Sequence, residues 1–328
     1  MTAHADFFDR LCTAAEAVLS RRKRRARLRK EKQRTKNQLL DWLEAFVQAA
    51  AMVLVINQYL FQAYEIPSGS MIDTLMIRDK IFVNKLVFGP ELLPGLGKLP
   101  SPFTPARNDV VIFENPSYIS RGPVFDIAQR VIFMLTLSVI DIDRDVNGEQ
   151  RAHFLIKRAA GLEGDHFISR DGDMLIRFAG TGDYTPERDH NAARGFGHHL
   201  SRLVEAALYP RFREAGRLAA YFDLGLDPPA PLREAAAAFS SIPYPDYFTV
   251  EEERLAFIRG AYPQDKGYRA RLARQKLGWY VPEGYFFPLG DNRDNSRDGR
   301  YFGPVRKTRA LGKGAFIFWP FRRAGAIR

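Results

Sequence analysis

Two serines, Ser68 and Ser70, flank a single glycine in the stretch YEIPSGSMIDTL, Tyr64–Leu75. A serine hydroxyl is a weak nucleophile until a neighbouring base takes its proton, so any chemistry here depends on which base can reach it. Histidine is the usual partner, and the chain has six. His4 lies near the N-terminus, His153 and His166 flank a strand-like run, and His190, His198 and His199 fall in a later helical region. No G-x-S-x-G elbow surrounds Ser70, which leaves a Ser-His-Asp hydrolase with little support. Lysine can do the same work where burial disfavours the ammonium and brings its pKa toward neutrality. Lys85 in IFVNKLVF and Lys157 in HFLIKRAAGL both sit in apolar runs. Either could equally be a structural lysine snorkelling to a strand edge, and pattern alone does not choose between them.

A third polar stretch, DNRDNSRDG at Asp291–Gly299, invites a calcium-loop reading, because Asp294, Ser296, Asp298 and Gly299 imitate the start of an EF-hand. The acidic residue that closes such a loop would be Val305, so that reading fails. A polar structural turn is the plain alternative.

These groups need elements to hold them, and the first is an apolar segment directly ahead of the serines. LEAFVQAAAMVLVINQYLF, Leu43–Phe61, has about the 20 residues a helix needs to cross hydrocarbon, with Glu44, Gln48, Asn57 and Gln58 near its ends. The chain is 328 residues long with a formal net charge of +11. Its run RRKRRARLRKEKQRTK, Arg21–Lys36, holds 11 Lys/Arg and one Glu, while the other 312 residues carry 38 basic and 37 acidic side chains. The folded part is therefore nearly neutral, and a basic flank beside an apolar span is the positive-inside signature of a membrane anchor. This explains the charge without nucleic acid as a partner. A cleavable signal peptide fits badly, because the apolar region starts more than 40 residues from Met1 and FQAYE beyond it lacks a small-x-small site. The lone Cys12 cannot form an intramolecular disulfide. A second apolar run, VIFMLTLSVI at Val131–Ile140, rises only ~15 Å as a helix, which makes it a buried strand or an interfacial helix rather than a span.

Beyond the anchor, Lys80–Asp165 reads as an all-β body from KIFVNKLVF, DVVIFENP and AHFLIKRAAG. From Asp171 to Leu277 the spacing turns helical, in LSRLVEAALYPRFREAGRLAAYF and PLREAAAAF, and TVEEERLAF places Thr249 and Glu252 at capping-box spacing. GYFFPLG and GKGAFIFWPF then return to strand-like patterning.

IPSGSM, NDVVIF, FLIKRAAGLEGD and LGDNRDNSRDGRYFG, in that order behind an N-terminal anchor, resemble the successive sequence boxes of bacterial type I signal peptidases, the Ser/Lys leader peptidases. The boxes cover about 50 residues between Ile66 and Gly303 and leave out the basic arm and the helical insertion. The resemblance implies Ser70 as nucleophile, Lys157 as general base and Lys85 as a structural strand residue. It gives the Ser68 hydroxyl and the Ser70 backbone N–H the oxyanion hole, and Met71 a place in the wall that keeps water from the lysine. It implies a hydrogen bond from Ser296 to the lysine amine, an ion pair of Asp298 with Arg300, and a turn begun by Gly290 and Asp291. If the dyad is real, Val131–Ile140 cannot cross the membrane once, because that would separate Ser70 from Lys157. Departures from the family pattern are Asp73 for Pro, Arg78 for Gly, Leu289 for Met, Gly299 for Ser and Phe302 for Trp.

The expected architecture is a mainly β catalytic core with an α-helical insertion behind an N-terminal transmembrane helix. Its expected parts are a basic cytoplasmic arm over 1–40, an anchor over 41–63, a β-rich catalytic domain over 64–170 and 278–328, and a mostly helical insertion over 171–277. The implied enzyme is a monomeric serine endopeptidase of the bacterial cytoplasmic membrane, its catalytic domain outside, cutting signal peptides with small residues before the scissile bond and needing no metal or cofactor. A scaffold of the same fold without turnover is the alternative, with the insertion as its binding surface. A self-cleaving repressor would need a helix-turn-helix domain where the anchor stands.

Overall fold

The computed structural model describes residues 20–25, 38–92, 97–136, 140–144, 148, 151–196, 200, 202–237, 239, 242 and 245–327. Most of the basic arm, over 1–19 and 26–37, and part of the second apolar run, over 137–139, lie outside the described residues. The chain separates into two compact units, Met1–Val53 and Leu54–Arg328.

Helix α1 runs from Gln38 to Tyr59, and its Leu40–Tyr59 portion is long and apolar enough to cross a membrane. It is followed by strands β1 (Phe61–Glu65), β2 (Lys80–Asn84) and β3 (Val110–Glu114), helix α2 (Pro123–Leu135) and strand β4 (Phe154–Leu162). Strands β5 (His166–Arg170), β6 (Asp173–Arg177) and β7 (Thr185–Pro186) come next. Helices α3 (Glu187–Ala193), α4 (Tyr209–Asp223), α5 (Ala230–Ala237), α6 (Tyr247–Ala261) and α7 (Lys266–Leu277) then follow. The chain closes with β8 (Trp279–Tyr280), β9 (Tyr285–Leu289), the short α8 (Gly299–Phe302), β10 (Val305–Arg306), β11 (Ala310–Trp319) and β12 (Gly325–Ala326).

The main sheet is antiparallel, in the order β1-β2-β11-β3-β4-β9-β10, with β12 on β11. The alternation in KIFVN buries Ile81 and Val83 in the core and leaves Phe82 outside, where its ring stacks on Phe318. Tyr64, Ile66, Met71, Leu75, Ile81, Val83, Val110, Ile112, Leu311 and Ile317 form one apolar cluster, so the turn that carries the two serines is rooted in the core. Lys85 lies one residue past β2, ahead of a 3-10 turn over Leu86–Phe88, and is not the strand residue expected of it. Helix α2 also interrupts the all-β reading of Lys80–Asp165. It takes in the first half of Val131–Ile140 and exposes Val124, Ile127 and Leu135 while burying Met134.

Strands β4 and β9 are neighbours in the main sheet, yet residues 163–284 lie between them in the chain. This excursion opens with β5, β6 and β7 before its helices begin at Glu187, and β8, which follows the helices, completes a second sheet in the order β7-β6-β5-β8. The expected division at 170/171 falls inside the β5–β6 hairpin, where Arg170 faces Asp173. The two-residue β7 and β8 carry no period-2 pattern, and β6 stands alone between polar Gly/Asp turns, so this sheet does not show in composition. Phe167 of β5 stacks on Phe287 of β9 at 4.6 Å and shares a buried cluster with Ala160, Met174, Ile176, Val281 and Leu289. Helix α6 is capped by the Asp246 side chain, which accepts from the backbone N–H of Phe248 and from Thr249 Oγ1, so Thr249 is not the cap expected. Helix α7 stops at Gly278, whose φ of 71° favours glycine and whose missing Cβ leaves room for the Phe167 carbonyl.

Strands β2 and β11 approach closely at Gly312. A Cβ there would lie 2.6 Å from Val83 Cγ1 and 2.7 Å from the backbone carbonyl of Asn84. Gly312→Ala is expected to destabilise the full-length protein by about 1–3 kcal/mol, because backbone rather than a flexible side chain must give way. Urea denaturation in detergent checks this, and an unchanged midpoint would contradict the close approach.

Candidate active site

Ser70 sits in a single 3-10 turn, Gly69–Met71, entered from Ser68 in extended conformation (φ −135°, ψ 159°). Ser68 is exposed at the surface and Ser70 is buried. The turn is held from a distant part of the chain: the Asn292 backbone N–H donates to the Ser70 carbonyl at 3.0 Å, and Asn292 Nδ2 donates to the Gly69 carbonyl at 3.0 Å. Its other end is tied back to the core where the Arg78 N–H donates to the Ile66 carbonyl and the Leu75 N–H to the Met71 carbonyl. Arg78 adopts a φ of 69°, the left-handed conformation that glycine takes at no steric cost.

Lys157 lies in β4 opposite Val111 of β3 and is 4% exposed. Its Nζ donates to Ser70 Oγ at 2.8 Å and to the Ile156 carbonyl at 3.0 Å. Burial pushes its pKa down from 10.5 to about 8, while the Asp298 and Asp291 carboxylates push the other way. Burial also brings Lys85 down to about 8, with Glu91, Arg130 and Lys98 as the charges acting on it. A lowered pKa therefore does not separate the two lysines. The hydrogen bond to a serine hydroxyl does.

The next residue, Arg158, is fully buried and binds Asp291 with two parallel hydrogen bonds, Nε to Oδ1 at 2.8 Å and Nη2 to Oδ2 at 2.7 Å. Thr74 Oγ1 donates to Asp291 Oδ2 at 2.5 Å and accepts from Arg158 Nη2 at 3.0 Å. Burial alone would raise the pKa of Asp291, but the hydrogen bonds and charge of Arg158, with Arg293 and Thr74, hold it below the ordinary carboxylate value. Asp298, also buried, accepts from the Gly290 N–H at 3.0 Å and from Arg300 Nε at 2.9 Å. Its carboxyl is likewise held down, burial being outweighed by Arg300 and the Gly290 N–H. Gly290 has no room for a side chain, since a Cβ would run into Ser296 Oγ and lie 2.6 Å from the Ser70 carbonyl.

Ser70, Lys157, Asp291, Asp298 and Arg300 are thus all joined in one hydrogen-bonded region, and Met71 is 1% exposed in the core beneath the turn. Ser296 is different: its Oγ is buried and makes no hydrogen bond, so the expected bond to Lys157 is not present. Lys157 uses the Ile156 carbonyl instead. Among the histidines, His153 faces Asp143, His166 Nδ1 meets Tyr184 Oη, and His190 stacks on Phe178. His4, His198 and His199 lie outside the described residues. Sequence reasoning overlooked Arg158, Thr74 and Asn292. For Arg158 there was a signal, a second charge inside an apolar strand, whereas Thr74 and Asn292 look like any polar turn residues.

The chain matches the family described as signal peptidase, peptidase S26, over residues 39–319. It is 24% identical over 298 residues to a protein named signal peptidase I from Buchnera aphidicola subsp. Acyrthosiphon pisum, covering 89% of this chain and 78% of that one. Proteins of the same name from Pseudomonas aeruginosa (27% over 293 residues; 86% and 72% covered) and Haemophilus influenzae (25% over 280; 85% and 69%) are similar to it over a comparable span.

Because Lys157 titrates at about 8 in the fold and near 10.5 when unfolded, burying its ammonium opposes folding. That opposition is fully present below pH 8, shrinks between pH 8 and 10.5, and is gone above. Its size is about 3 kcal/mol. Lys157→Met is therefore expected to raise resistance to urea at pH 7 by up to that amount, with the gain fading toward pH 10.5. A gain independent of pH would rule out the buried ammonium as its source.

Proposed function

We propose, for a chain that belongs to the signal peptidase family S26, that it removes signal peptides from preproteins by a Ser70–Lys157 dyad. The observation that carries this reading is the 2.8 Å contact of Lys157 Nζ with Ser70 Oγ in a buried site. In its neutral form Lys157 accepts the Ser70 proton, and Oγ attacks the scissile carbonyl carbon. The Ser70 backbone N–H and the Ser68 hydroxyl donate to the oxygen that becomes negative, a contribution of ~3 kcal/mol for one such donor. Lys157 then returns the proton to the leaving amine, and a water deprotonated by the same lysine releases the acyl group. The Asp298–Arg300 pair braces the loop from Gly290, and the Arg158–Asp291 pair holds that loop against β4.

The strand edges support an extended substrate. On one side β4 pairs with β3 along Phe154–Arg158, but on the other β9 pairs with it only from Arg158 onward. The segment Phe154–Lys157 can therefore accept a peptide as an added strand, leading its carbonyl to Ser70. Both members of the dyad come from one chain, so a single copy suffices. Helix α1 anchors the enzyme with the basic arm in the cytoplasm and the remainder outside, and the exposed apolar residues of α2 lie in the membrane interface.

Preprotein cleavage by the full-length enzyme in liposomes tests this. Ser70→Ala and Lys157→Ala are each expected to lower kcat by at least about 10³-fold, in the range seen when one member of a catalytic unit is removed. Undiminished cleavage by either variant would remove the mechanism. Since only neutral Lys157 can act, kcat/KM should rise tenfold per pH unit below about 8 and level off above it. A profile already flat at pH 6 would contradict the assignment.

A further inference from the structure

Two of the buried charges in the loop Gly290–Arg300, those of Arg293 and Asp294, take their partners from the excursion. Glu187, the first residue of α3, is 4% exposed and pairs with Arg293 Nη2 at 2.7 Å, where the guanidinium is 2% exposed. Arg293 also donates from Nη1 to the Gly290 carbonyl, and its own carbonyl accepts from Arg300. The adjacent Asp294, its side chain 2% exposed, accepts four hydrogen bonds, all from the excursion. Arg202 Nε reaches both of its oxygens at 3.0 Å, and the backbone N–H groups of Leu203 and Val204 reach Oδ2 at 2.6 and 2.9 Å. Helix α6 adds Phe248, whose ring meets Tyr301 at 4.6 Å and lies under the Arg300 guanidinium.

The link to the nucleophile is short. Asn292, beside Arg293, holds the Gly69 and Ser70 carbonyls, and Gly290 packs against the Ser70 carbonyl. A buried carboxylate or guanidinium that loses its partner must move toward water or another charge, and Arg293 and Asp294 cannot move without moving their neighbours. We propose that the excursion is a clamp on this loop, with Glu187, Arg202 and Asp294 as positioning residues for the reaction at Ser70. The clamp rests on the peptidase reading above. It gives the helical region a role in turnover that requires no partner protein.

The test uses full-length enzyme in liposomes, with active sites counted by stoichiometric acylation of Ser70, so that rates refer only to folded enzyme. Glu187→Gln and Asp294→Asn should each lower kcat per titrated site about 10- to 100-fold, the scale expected when a reacting group is misplaced by about 1 Å, with KM changed less than threefold. Arg202→Lys keeps the charge but loses the Nε donor that reaches both Asp294 oxygens and should fall between these variants and the wild type. Glu253→Gln, which removes a partly exposed pair with Arg217 on the outer helices, should keep the wild-type kcat. If Glu187→Gln and Asp294→Asn turn over at the wild-type rate per titrated site, the clamp is wrong even though Ser70-dependent cleavage stands. Should those two fail to fold, wild-type kcat in Arg202→Lys overturns it in the same way. A wild type whose cleavage survives Ser70→Ala would instead sink the underlying reading.

Discussion

The buried pair of Arg158 with Asp291 is the interaction on which the rest of the site depends. Both side chains are fully withdrawn from water, a situation that a guanidinium and a carboxylate tolerate only when geometry is good and the remaining polar atoms are used. Here they are used: Arg158 also reaches the Asn108 carbonyl and Thr74 Oγ1, and Asp291 takes the Thr74 hydroxyl. These contacts lock strand β4, the turn following Ser70 and the loop after β9 into one register. Lys157, the neighbour of Arg158, is thereby presented to the turn that carries Ser70.

Burial of a lysine is by itself a weak indicator of chemistry in this protein. Lys85 and Lys157 are both depressed to about 8 by desolvation, and either could be neutral at a mildly alkaline pH. What differs is the neighbour. Lys157 meets a hydroxyl, whereas Lys85 lies under the influence of Glu91, Arg130 and Lys98. Electrostatics makes a base available, and hydrogen-bond geometry decides what it can act on.

Several departures from the family pattern have physical readings. Arg78 occupies a left-handed position, so the turn keeps the shape a glycine would give it and accepts some strain, of the order of 1 kcal/mol. At Gly299 a side chain would press against the Pro288 carbonyl at 2.7 Å, so the serine common there would require the loop to shift. Leu289 is fully buried in the cluster with Phe287, and Phe302 packs against Phe113 and Phe286. Nothing in the structure explains Asp73.

The fold was legible in the sequence to the extent that local pattern dictates it. KIFVN, VVIFE and FLIKRAAGL became strands, and the helices between Glu187 and Leu277 followed their Ala/Leu/Arg spacing. The apolar helix ahead of the serines was equally clear, because length and composition alone define such a segment. Lys85 just past its strand, the β5–β6 hairpin across the expected boundary and the Asp246 cap were not. Each turns on a few residues whose conformation is decided by packing rather than propensity.

For the site, the sequence by itself determined which chemical groups are present: two serines on a tight turn, two lysines in apolar runs and a polar loop dense in Asp and Arg. Only the tertiary structure decided which of them meet. Ser70 and Lys157 are 87 residues apart in the chain and Arg158 and Asp291 are 133 apart. Only strand register and the pairing of buried charges bring such residues together, and local sequence does not name the distant partner of either. The same holds for Ser296, which lies beside Gly290 without a bond to Lys157, and for Glu187 and Asp294, whose partners lie in distant segments.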